Sequence, residues 1–163
     1  MKTKEIKKFF TKNKKPVLIA VGVIVAVVVV WVVVKRIKEG RQNHIDKEQA
    51  EENTGQTVTS SINWRDLAIR LRKAFGGPNS SGSDENEIYL VLGTLRNQAD
   101  WEYLKRYWTS YCDSLPWWQS LNDMLMNGTN YKSLTASLIY ELDSSELQSC
   151  RNILAEKGIT PDF

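Results

Sequence analysis

With 163 residues and a net charge of +3, the chain has room for one small domain beside whatever its segregated apolar residues build. Two cysteines and a single histidine exclude a disulfide framework and a histidine-based zinc site. The excess positive charge comes mostly from lysines near the N-terminus, which points to anionic headgroups rather than nucleic acid as its counterpart.

Residues 1–16 read as a basic cytoplasmic tail, with Lys2, Lys4, Lys7, Lys8, Lys12, Lys14 and Lys15 against the single acid Glu5. Val17 to Val34 follows, an unbroken run without charge or strongly polar side chains. As a helix rising about 1.5 Å per residue it reaches roughly 27 Å, close to the ~30 Å hydrocarbon core of a bilayer. Valine prefers strands in water, but a lone segment in lipid satisfies its backbone only as a helix. Lys14, Lys15, Lys35 and Arg36 flank the run, where their charges reach the headgroups. Trp31-Val32-Val33-Val34 leads straight into Lys35-Arg36 with no small-residue cleavage site, so the run reads as an uncleaved anchor and not as a secretion signal. The heavier lysine load before the span places the N-terminus in the cytoplasm and everything from Lys35 onward outside. Ala20, Gly22 and Ala26 form no clean small-xxx-small pattern, so homo-oligomers through the span gain no support.

Residues 35–62 read as a polar juxtamembrane helix followed by a linker. Asn53 to Ser61, rich in turn formers and β-branched residues, is expected to be a flexible spacer. The globular part is expected over 63–163, and its apolar spacing is helical throughout, which makes the fold class all-α. Trp64, Leu67, Ala68, Leu71 and Phe75 form one stripe. A glycine-rich break leads to a helix opening at Ser83 or Asp84, with Ile88, Val91, Leu92 and Leu95 facing inward. A third helix after Asn97-Gln98 carries Trp101, Leu104, Trp108 and Tyr111. Ser114 is placed to cap a fourth, with Trp118, Leu121 and Leu125 as its stripe and Asn127-Gly128 as its stop. A fifth runs from about Asn130 with Leu134, Leu138 and Leu142. Asp143 to Glu146 fits a capping box for the last helix, whose stripe is Leu147, Cys150 and Leu154 and whose end is Gly158.

The junctions Leu71-Arg72-Lys73-Ala74-Phe75-Gly76-Gly77, Gly82-Ser83-Asp84-Glu85 with Ile88, and Arg96-Asn97-Gln98-Ala99-Asp100 with Trp108 together resemble an annexin repeat. The resemblance spans about Asn63 to Gly158, one repeat plus the helix before it, and implies a five- to six-helix bundle. Annexins carry four repeats and bind anionic membranes through calcium. Here the glycine turn is lengthened by Pro78-Asn79-Ser80-Ser81, the position matching the family's acidic ligand falls at or near Leu125, and Asp123 is displaced by two positions. The resemblance therefore implies the fold and speaks against calcium-dependent membrane binding.

Most aromatic residues at helical spacing are expected in the core. Trp117 and Trp118 cannot both face inward, because neighbouring helical residues point about 100° apart, and they are the expected partner surface. Glu85, Glu87, Asp100 and Glu102 offer a carboxylate pair for glycan hydrolysis, although acids in a first helical turn are expected from capping alone. No serine has a histidine base in a recognisable framework. Cys112 and Cys150 are expected to be buried hydrophobes, with pairing left open, and His44 has no partner at ligand spacing. No cofactor, metal site or catalytic residue is assigned. The expected function is a single-pass membrane scaffold or adaptor presenting a helical protein-interaction domain outside the membrane. The alternatives are a structural component of a membrane-containing assembly, such as a secretion apparatus or virion, and an envelope glycan hydrolase.

Overall fold

The computed structural model describes residues 14–75, 83–115 and 133–163, with side chains from Val23 onward. All regular structure among the described residues is helical: α1 (Lys14–Thr54), α2 (Trp64–Ala74), α3 (Glu85–Gly93), α4 (Gln98–Ser114), α5 (Leu134–Glu141) and α6 (Ser144–Ala155). The all-α class is thereby observed. The expected fourth helix, with Trp117, Trp118, Leu121, Asp123 and Leu125, lies outside the described residues, as does the glycine turn before Ser83. Ser114 is the last residue of α4, and its hydroxyl donates to the Tyr111 carbonyl at 2.7 Å.

The chain forms two compact units, Met1–Gln42 and Asn43–Phe163. In the first, the backbone of α1 is helical across the whole expected span. From Val23 to Val34 every large side chain is 40 to 63 % exposed, an apolar surface on all sides of the helix.

In the second unit each helix begins where a short polar side chain replaces missing helical partners. Asn63 Oδ1 accepts from the Asp66 amide, Asp84 Oδ1 from Glu87, Asn97 Oδ1 from Asp100, and Ser133 Oγ from Ala136. Asp143 and Glu146 form the reciprocal capping box: Asp143 Oδ1 accepts from the Glu146 amide at 2.9 Å and Glu146 Oε2 from the Asp143 amide at 2.7 Å. At the other end of α6, Gly158 takes φ +69°, a conformation that favours glycine. The Ile159 amide then returns to the Leu154 carbonyl and the Gly158 amide to that of Ala155. This Schellman arrangement turns Ile159 back beside Leu154 in the core.

The expected stripes supply that core. Leu67, Leu71, Phe75, Ile88, Val91, Leu92, Leu95, Trp101, Leu104, Trp108, Leu134, Leu138, Cys150 and Leu154 are all buried in one cluster. Helix α2 packs on α3 and α4, α3 on α6, and α4 on α5. Phe75 meets the Trp108 ring edge to face, with centroids 5.5 Å apart.

The segment before Asn63 departs from the expected flexible spacer, because the compact unit begins at Asn43. The end of α1 lays Asn43, Asp46 and Ala50 against α4. Ser110 Oγ donates to Asp46 Oδ2 at 3.0 Å, Arg106 Nη1 to Gln49 Oε1 at 2.7 Å, and the Tyr103 hydroxyl to the Asn43 carbonyl at 3.4 Å. Burial pushes the Tyr103 phenol up to about 12. Gly55, at φ +64°, ends α1, and the following residues run along the start of α4. A second apolar cluster closes over them: Ala50, Val58, Ala99 and Tyr103, with Trp64 edge-on to Tyr103 at 4.9 Å.

One carboxylate fixes this arrangement. Asp100 is fully buried. Its Oδ1 accepts from the Thr59 amide at 2.7 Å, and its Oδ2 accepts from the Thr59 hydroxyl at 2.9 Å and the Arg96 amide at 2.9 Å. Asn97 Nδ2 adds a bond to the Thr57 carbonyl, and Gln56 Oε1 accepts from the Gln98 amide. Removing the carboxylate leaves two backbone N–H groups without partners, each costing about 1–3 kcal/mol. Asp100→Ala is therefore expected to lower unfolding stability by roughly 3 kcal/mol, whereas Thr59→Val, which removes one hydroxyl, costs about 1 kcal/mol. Chemical denaturation of the two variants beside the parent chain checks this ordering.

Candidate functional site

Three groups of residues nominated by the sequence can be placed. At the edge of the apolar run, Lys35 Nζ lies 5.6 Å from the centre of the Trp31 ring and 3.7 Å from Glu39 Oε1. Both partners of that ion pair are nearly half exposed, so it contributes little stability and leaves the ammonium accessible beside Arg36. The side chains of Lys14 and Lys15, and the partner-surface residues Trp117 and Trp118, lie outside the described set. Among the described residues no helix is long and apolar enough to cross a membrane. The side chains of the run are described from Val23 to Val34, a stretch of about 18 Å.

The four acids raised as a hydrolytic pair are each engaged otherwise. Glu87 accepts from Arg70 Nε, and this bond holds its carboxyl below the usual range, the reverse of what a general acid requires. Glu85 accepts from Ser83 Oγ at 3.5 Å. Asp100 is the buried clamp, and Glu102 pairs with Lys105 at 3.0 Å.

Among the described residues no three of His, Cys, Asp and Glu gather as a metal site. His44 sits 3.3 Å from Glu48 on the exposed side of α1. Cys112 and Cys150 are both free thiols. Cys150 is fully buried, and burial pushes its thiol up to about 11, so the reactive thiolate is scarce at neutral pH.

A feature that periodicity does not reveal is a cleft of about 470 Å³ between the start of α2, the α3–α4 turn and the end of α6. Ile62, Leu67 and Leu95 supply apolar lining; Ser61, Asn63, Asp66, Thr94, Arg96 and Lys157 supply polar groups. The volume lies in the range of small-molecule sites. Its residues come from three separate stretches of chain, and a sequence signal for it would have required knowing which helix ends meet.

Comparison with models of known families, with curated proteins and with solved structures finds no match to this chain.

In the native protein, alkylation at mildly alkaline pH is expected to spare Cys150 and to reach it only after unfolding, with partly exposed Cys112 as the internal control. Peptide mapping of the alkylated chain reads this directly, and equal labelling of both thiols in the native state would contradict the placement of Cys150.

Proposed function

We propose that the chain is a single-pass membrane protein. Residues 17–34 cross the bilayer, residues 1–16 remain cytoplasmic, and the unit Asn43–Phe163 is held outside as a helical scaffold that works through protein contacts. The observation that carries this reading is one continuous helix over an eighteen-residue run without charge, whose described part exposes its large apolar side chains at 40 to 63 %. In water such a surface is costly, at about 25 cal/mol for each Å² left unburied; in lipid the cost disappears. Lys35 and Arg36, with Trp31 beside them, suit the headgroup boundary on the outer side. The single annexin-like repeat belongs to the same proposal, and so does a protein partner. No catalysis, metal or cofactor is part of it.

Membrane fractions washed with alkaline carbonate should retain the full chain and release a variant lacking residues 17–34. Protease added to sealed right-side-out cells or vesicles should digest the C-terminal unit and spare the tail. Recovery of the full chain in the soluble fraction would refute the anchor; protection of the C-terminal unit would reverse the orientation.

A further inference from the structure

We propose that the cleft at the α3–α4 turn binds a phosphate group through Arg96 and Lys157. The two cations arrive from different parts of the chain, and each is set by a specific backbone device. Arg96 stands on the turn whose amide donates to the buried Asp100 carboxylate, and Lys157 stands in the Schellman turn that ends at Gly158. Both are exposed, both line the cleft, and neither forms an ion pair with a described residue. Among the described lining residues the one acid is Asp66, 3.9 Å from Arg70, whose shorter bond goes to Glu87. The Ser61 hydroxyl is also in the lining and accepts or donates no bond to a described residue, whereas Thr94 Oγ1 is occupied by the Val91 carbonyl.

The charge identifies the ligand class. A guanidinium fork and an ammonium point charge are the two side chains that grip tetrahedral oxyanions. A phosphate monoester carries about −1.5 to −2 at neutral pH and so matches Arg96 and Lys157 together, whereas a carboxylate would neutralise only one. The apolar lining from Ile62, Leu67 and Leu95 leaves room for a small body attached to the phosphate. That body belongs either to a soluble phosphorylated molecule or to a phospholipid headgroup. The cleft lies wholly within the unit Asn43–Phe163 and exists whether or not residues 17–34 cross a bilayer.

The test follows the backbone amide resonances of Ser61, Thr94, Arg96 and Lys157 in the full chain. One arm uses non-ionic detergent with inorganic phosphate, against chloride at equal ionic strength. The other uses nanodiscs of phosphatidylcholine with and without phosphatidic acid. Saturable shifts with inorganic phosphate support a soluble ligand, and shifts only with phosphatidic acid support a headgroup. In either case Arg96→Gln and Lys157→Gln should each weaken binding about tenfold, the loss of one charge-assisted bond, while the rest of the spectrum stays unchanged. No saturable shift in either arm, or shifts undiminished in both variants, would overturn the proposal.

Discussion

A fully buried carboxylate in a small helical unit is tolerable only when its oxygens are occupied, and Asp100 meets that condition by recruiting the backbone of a distant segment. Thr59 and Arg96 both donate to it, so one side chain joins the residues after α1 to the turn that opens α4. The neighbouring bonds from Asn97 and Gln98 repeat the connection one residue at a time. Gln98 continues it to the C-terminal end: its side-chain Nε2 donates to the Thr160 carbonyl at 3.3 Å and its Oε1 accepts from the Thr160 N–H at 2.8 Å. The helix start at Asn97 is thus the meeting point of three stretches of chain, and the position of Arg96 in the cleft follows from it.

The helices of the Asn43–Phe163 unit were largely legible in the sequence because their signals are local. Asparagine, serine or aspartate stands at each described start from α2 onward, and stripes such as Leu67-Leu71 and Trp101-Leu104-Trp108 point where the 3.6-residue period sends them. The helix of the juxtamembrane stretch was legible, since α1 runs on to Thr54, but its packing and that of residues 56–59 were not, and the reason is physical. The face of α1 that packs is built from Asn43, Asp46 and Ala50, polar or small residues that leave no apolar stripe. Thr57 and Thr59 satisfy a backbone group through side chains some forty positions away, which no window of sequence contains, while the Val58 amide donates to Glu51. A turn-forming composition then looks like a spacer even though the segment is held at every residue from Gln56 to Thr59. The same non-locality hid the cleft. Arg96 and Lys157 look like ordinary surface charges until the ends of α3 and α6 are seen to share one depression.

The functional reading joins two kinds of surface. The exposed apolar run of α1 carries the proposed membrane span, and the helical unit offers a cleft whose Arg96 and Lys157 form no ion pair with a described residue. Both follow from where the chain leaves favourable interactions unfilled. The acids around the helix starts are the opposite case, since caps and ion pairs already consume them.

The central claim is that residues 43–62 are a structural part of the helical unit, tied in through Asp100, and truncation tests it most directly. Fragments 43–163 and 63–163 should be compared by urea unfolding. The longer fragment is expected to unfold in one cooperative transition, and the shorter one, lacking Thr59, Ala50 and Val58, to be less stable by at least about 3 kcal/mol or not to fold. Equal stability of the two fragments would show that residues 43–62 add nothing to the helical unit and would contradict the account.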